Sequence, residues 1–297
     1  MCSMMRDCVI SDNDAQGTGG GAYRASLTNC RLVNNCSADQ GGGAYLGELT
    51  GCTVISNRTE KNGGGVCDAA LTNCVVRDNV ALANGGGAYS GSLYGCTITN
   101  NIAYQYGGGV NRSTVESCIL AGNEAYISGG GAYAATCYGS EICGNKATSN
   151  GGGAYESQVF NCELSDNEAG QHGGAAFRGE LQNCLVYGNR APKGNGGGIV
   201  NAIARNCTIY GNVCSGRGGG ANTGLDNGYA VGTNFNCIVY GNTAGQDTEI
   251  DTRVPSFNCC TNDPHFIRAE AGDFRLRCDS PCIDAGDKTY VTNTMDF

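Results

Sequence analysis

Branched aliphatic residues recur along this chain at one fixed interval. Ile10, Leu32, Val54, Val76, Ile98, Leu120, Ile142, Leu164 and Val186 lie 22 residues apart, and Ile209 and Val239 continue the column after insertions. Two residues before each stands a cysteine, from Cys8 and Cys30 through Cys207 and Cys237, with Ser140 the exception. The residue between is free to vary: Val9, Arg31, Thr53, Glu141 and Glu163 all occupy it. In–out–in with a period of two reads as a strand with one buried face. Three residues after the aliphatic comes an asparagine: Asn13, Asn35, Asn57, Asn79, Asn101, Asn123, Asn145, Asn167, Asn189, Asn212 and Asn242. This position reads as part of a turn that tolerates left-handed backbone.

Further along each repeat a glycine triplet, such as Gly19-Gly20-Gly21 or Gly151-Gly152-Gly153, opens a second strand. The next column is small and apolar (Ala22, Ala44, Val66, Ala88), and another holds Leu27, Leu49, Leu71, Leu93, Val115, Val159 and Leu181. A unit this short and glycine-rich cannot be a helix pair. It buries its apolar face only by stacking on its neighbours. Two or three short strands per turn make one coil of a parallel β-helix, rising about 4.8 Å per coil. Roughly a dozen coils then give a rod of about 60 Å.

The triplet-plus-aliphatic motif followed by the Asn turn resembles the GGAI and FxxN repeats of polymorphic outer-membrane proteins. It is also similar to the wider group of right-handed β-helix repeat proteins with a pectin-lyase-like fold. Residues 8–245 carry the resemblance, with Cys-x-Ile/Leu/Val-x-x-Asn standing where FxxN is usual. The segment from Asp263-Pro264-His265-Phe266 to Asp284-Ala285-Gly286 resembles the closing region of large bacterial surface proteins of this group. The resemblance implies an all-β fold, a right-handed parallel β-helix of 22-residue coils over 1–245, with 246–297 as degenerate coils or a closing segment. It also implies export to the bacterial cell surface or beyond, in proteins most of which have no assigned reaction.

Composition narrows the partners. The net charge is −9 and the 18 basic residues are dispersed, which disfavours nucleic acid. No run is long enough to span a membrane as a helix. Met1 to Cys8 enter the repeat at mid-coil with no signal peptide, and the end at Phe297 is equally abrupt, as expected of a fragment or of a gene with a lost start. Open coil edges are expected to favour end-to-end self-association.

Of the 20 cysteines, ten form the inward column. Stacked Cβ atoms about 4.8 Å apart lie beyond disulfide reach, so the column is expected to be a reduced packing ladder. Local bridges are expected among the others: Cys278 with Cys282, Cys259 or Cys260 with a neighbour, or Cys137 with Cys143 across the gap at Ser140. No Cys-x-x-Cys spacing recurs, so neither a metal nor a cofactor is expected.

Glycoside hydrolysis needs two carboxylates across a groove. Glu141 and Glu163 stack, with Asp166 and Glu168 nearby, but they read as solvated surface with no accompanying basic residue. Gln171-His172-Gly173-Gly174 reads as a loop histidine, and His265 as part of the closing segment. No catalytic constellation follows. The candidate contact surface is aromatic. If the Ala column points inward, Tyr23, Tyr45, Tyr89, Tyr133, Tyr155 and Phe177 point outward, with a shorter run at Tyr187, Tyr210 and Tyr240. Such rings could hold sugars or another protein, or simply pack on each other. The leading expectation is a non-enzymatic stalk, adhesin or scaffold, and the alternative is a carbohydrate-binding or polysaccharide-degrading β-helix.

Overall fold

The computed structural model describes residues 3–222, 232–287 and 289. The chain winds as a β-solenoid of about 11 turns. Three parallel sheets run along it, containing 16, 11 and 10 strands among the described residues. A typical coil contributes a long strand to the first face (Ala44–Thr50), a short one to the second (Thr53–Ile55) and a shorter one to the third (Arg58–Thr59). Pairing is in register at the repeat length, as in Leu27↔Leu49↔Leu71 and Val54↔Val76↔Ile98.

The three faces enclose one continuous core. Its layers are the Ala22 and Leu27 columns of the first face and the cysteine and aliphatic columns leading into and along the second. The third face adds a small buried column, Ser37, Thr59, Ala81, Ala103 and Ala125. Cys137 completes the Leu27 column, pairing with Val115 and Val159.

Left-handed residues make the corners. One stands before each ladder cysteine (Asn29, φ 52°; Asn73, φ 52°), one before each ladder asparagine (Asn34, φ 53°; Asp78, φ 58°), and one at the first glycine of the triplet (Gly41, φ 66°). This corrects the sequence reading: the ladder Asn is not itself the left-handed residue. Its predecessor turns the chain, which leaves the Asn side chain directed inward.

The triplet answers three separate constraints, seen at Gly151-Gly152-Gly153. Gly151 takes the positive φ of 62°. A Cβ on Gly152 would lie 2.5 Å from the carbonyls of Glu168 and Gly174, and one on Gly153 would lie 3.1 Å from the Asn167 amide. Backbone thus packs on backbone, and the space saved is filled by asparagine.

The buried asparagines hydrogen-bond along the axis. Asn57 Nδ2 donates to the Leu32 carbonyl and to Asn79 Oδ1, both at 3.0 Å, while the Asn57 backbone N–H donates to the same Oδ1 at 2.9 Å. The pattern continues coil by coil to Asn242, where Glu249 ends it. One Glu249 carboxylate oxygen accepts from Asn242 Nδ2 at 2.8 Å and the other from Gly241 N–H at 2.9 Å.

The cysteines form a parallel ladder. Cys74 Sγ donates to the Thr72 carbonyl at 3.3 Å and accepts the Cys52 N–H at 3.3 Å. Ser140 does the same with a hydroxyl, donating to Tyr138 at 2.8 Å and accepting Cys118 N–H at 3.1 Å. Burial pushes the Cys162 thiol up to about 11.

The final coil still pairs with its predecessor, through Asn234↔Ser256 and Ile238↔Cys260. A two-stranded antiparallel hairpin follows, Phe266–Arg268 with Asp273–Leu276. The closing segment is tied down by a Cys260–Cys282 disulfide, Cα–Cα 6.0 Å, and by reciprocal 2.9 Å hydrogen bonds between the Asn236 amide and the Asp287 backbone. The expected Cys278–Cys282 bridge is therefore corrected. Cys282 pairs with Cys260 instead, and Cys278, Cys137 and Cys143 are free thiols.

Candidate functional site: the outward faces

The first aromatic column lies on the first face just after the triplet corner. It is broken into pieces by Cys67 and Asn111, whose register partners are Tyr45, Tyr89 and Tyr133. Tyr23 and Tyr45 stack at 5.8 Å. Tyr133 and Tyr155 stack at 5.1 Å with planes 3° apart, and Tyr155 and Phe177 at 5.4 Å and 10°. Tyr106 covers the other side of Tyr133 at 4.7 Å, and the Arg178 guanidinium lies over Phe177 at 5.5 Å. Tyr23 is half exposed, Tyr45, Tyr89, Tyr133 and Tyr155 are partly buried, and Phe177, in register with Tyr155, is buried under its neighbours. Rings stacked this closely turn their π faces to each other and present edges to solvent, which stabilises the coil stack.

The hairpin covers two rings of the second run, Tyr187 and Tyr210. Phe274 of the hairpin lies 5.2 Å from Tyr187 and 5.4 Å from Tyr210, and Phe266 meets Tyr210 edge-on at 5.7 Å. Tyr187 also donates to Glu163 Oε1 at 2.6 Å. That carboxylate, together with burial, raises the phenol to about 12. Glu163 is thereby engaged in structure, beside its register partner Glu141. Glu168 lies 3.7 Å from Lys146. His172 Nδ1 accepts the Asn195 backbone N–H at 3.0 Å, so that imidazole serves a loop.

Two outward features escaped the sequence reading. Tyr104 and Tyr126, exposed and 4.7 Å apart, follow the third-face strand, and their 22-residue spacing was the available signal. The other is a polar groove of about 620 Å³ along the first face. A fourth left-handed column kinks the long strands here, including Asp68 (φ 51°), Ser90 (φ 55°) and Arg112 (φ 53°). These form one wall. The outward residues Glu48, Ser92 and Thr114 form the other, and Gly47, Ala69 and Gly91 the floor. The sequence signal was faint, because the kink column admits Leu46 and Ala134, residues that ordinarily avoid positive φ.

Stacked parallel coils with inward ladders and a closing hairpin define a parallel β-helix protein, and the family it matches is a right-handed one. The chain belongs to the NosD family: the family model "Periplasmic copper-binding protein (NosD)" matches residues 2–157. A periplasmic family agrees with export, and no helix of the described residues is long and apolar enough to cross a membrane. No curated protein sequence matches the chain. Solved structures with some likeness include a trypsin-treated form of QnrB1, a plasmid-mediated fluoroquinolone resistance protein. It is 13% identical over 70% of this chain and 84% of that one, with a TM-score of 0.22. A hyper-glycosylated TibA fragment is 14% identical over 86% and 97%, with a TM-score of 0.24. Neither superposes well enough to bear on this chain.

The donor set does not fit the copper of the family's description. Among the described residues no three His, Cys, Asp or Glu side chains come together as ligands. The soft sulfurs of the ladder are buried and already hydrogen-bonded to backbone, as Cys96 is to Tyr94 and Cys184 to Gln182.

Proposed function

We propose that this exported β-helix is a non-enzymatic scaffold, a stiff stalk or adhesin that presents its outward residues to a partner surface. The observation that carries the reading is the asparagine ladder, hydrogen-bonded without a gap from Asn13 to Asn242. It directs interior polarity to stiffness and leaves the outward positions free to vary. Coupling the chain to microspheres and measuring their attachment to bacterial and epithelial cell layers tests this. Attachment above that of albumin-coated spheres is expected, and attachment equal to them overturns the adhesive role.

A second reading, carbohydrate binding, is supported by the first-face groove rather than by the tyrosines. Its hydroxyls and its Glu48, Asp68 and Arg112 side chains face a trough with an almost bare backbone floor. On a glycan array, binding that is lost in Asp68→Ala and Arg112→Ala but kept in Tyr155→Ala supports the groove. Loss only in Tyr155→Ala returns the site to the rings.

A further inference from the structure

A second concavity, of about 400 Å³, lies where the closing segment meets the second face, away from the groove. One wall is aromatic, with Tyr210, Tyr240 and Phe266. Tyr210 is flanked by Phe266 at 5.7 Å and Phe274 at 5.4 Å. Tyr240 has no ring partner other than Tyr210, at 6.5 Å, among the described residues, and its partly buried side chain lines the concavity.

The opposite wall is charged. Asp263, Glu270 and Asp279 stand against one guanidinium, Arg277. Asp279 is shared, with one oxygen 3.5 Å from Arg277 Nε and the other 3.5 Å from His265 Nδ1. Asp263 holds the turn by accepting the His265 N–H at 2.9 Å, and Arg277 N–H donates to the His265 carbonyl at 2.9 Å. His265 is thus fixed at φ 49°, with a Nδ1 that is buried and has no hydrogen-bond partner. Glu270 is exposed and makes no ion pair among the described residues.

From this juxtaposition we propose that the hairpin pocket binds an organic ammonium group, seated over the Tyr240 ring and between the Glu270 and Asp279 carboxylates. An aromatic ring lining such a concavity attracts a cation through its quadrupole. The excess of carboxylate over guanidinium adds to that attraction and repels anions. A hard metal ion would need a shell of six or more oxygens, and the carboxylates here do not converge as such a set.

The test is titration of the full isotope-labelled chain, followed by NMR, with three cationic probes: tetramethylammonium, N-acetyl-lysine methyl ester and glucosamine. Neopentyl alcohol and glucose are the neutral counterparts. Saturable shifts at Tyr240 and His265 are expected with the cations, with the neutral probes about tenfold weaker. The strongest cation identifies the source as a small quaternary amine, a protein lysine or an amino sugar. Glu270→Gln and Tyr240→Leu should each weaken binding about tenfold at an unchanged melting temperature, Glu270→Gln being an isosteric change at an exposed site. Equal binding of the neutral probes, shifts confined to other regions, or wild-type affinity in Glu270→Gln would each overturn the proposal.

Discussion

Replacing Asn101 by alanine removes four hydrogen bonds at once. Asn101 Nδ2 donates to the Val76 carbonyl and to Asn123 Oδ1, both at 3.0 Å, and its Oδ1 accepts Asn79 Nδ2 at 2.9 Å and Asn79 N–H at 3.1 Å. Asn79 Nδ2 keeps the Val54 carbonyl and Asn123 Oδ1 keeps the Asn101 N–H, so neither is stranded. The Asn79 N–H loses its side-chain acceptor inside a fully buried layer. A net of about 0.5–1.5 kcal/mol per bond, plus about 1–3 for the stranded donor, gives a loss of about 4 kcal/mol after allowing for non-additivity. Asn13 is exposed, and its amide donates only to Ser11 at 3.1 Å and Asn35 at 2.8 Å, so Asn13→Ala should cost about 1 kcal/mol or less. Urea unfolding of both variants measures the difference, and amide hydrogen exchange should show the loss concentrated in the coils around residues 79–123. If Asn101→Ala costs no more than Asn13→Ala, the ladder is not a source of stability and the stiffness argued from it fails.

Gly152→Ala forces a Cβ to 2.5 Å from two carbonyls and should abolish soluble expression, whereas Gly17→Ala meets nothing within 4 Å and should match wild type in yield and melting temperature. A maleimide probe at neutral pH should label Cys278 first among the described thiols and reach Cys96, Cys162 and Cys184 only after unfolding, read by peptide mass mapping. Asp251 is buried and holds Arg253 and Asn222, and the Arg253 hydrogen bonds keep its carboxyl below the usual carboxylate range. Its contribution is therefore present above an unfolded value of about 3.9 and is lost as pH falls through the lower folded value. Asp251→Asn should lower the urea midpoint at neutral pH and lose less than wild type on acidification, and parallel midpoints across that range would refute the pairing.

The repeat was legible because a parallel solenoid writes its register into the sequence. The cysteine, aliphatic and asparagine columns name inward positions directly, and Leu27, Leu49 and Leu71 are buried as their spacing implies. Which residue carries the left-handed turn was not legible. Asp12-Asn13 and Asn34-Asn35 place two turn-prone residues side by side, and only the buried amide shows which one points inward. The aromatic columns were read as outward, yet outwardness does not say whether a π face is free. Tyr133 and Tyr155 lose theirs to each other, and Tyr187 loses its to a phenylalanine 87 residues later in the chain, Phe274. Cys282 stands 22 residues after its partner Cys260, one repeat length, so the period was an available signal for that bridge that the local pairing with Cys278 overlooked.

Because each coil repeats the pairing of the one before it, length is a quantised property of this architecture. Excision of 22 residues, for instance 80–101, would bring Asp78-Asn79 up to Ile102 just as Asn100-Asn101 now meet it, and every inward side chain would find its neighbour. Excision of 21 would turn a whole strand's interior outward. Where the array departs from the count, as at the extra residue before Gly194, the surplus is ejected into a turn and the faces stay aligned. A rod of this kind can be shortened or extended in evolution by whole coils, changing its reach without redesigning its interior.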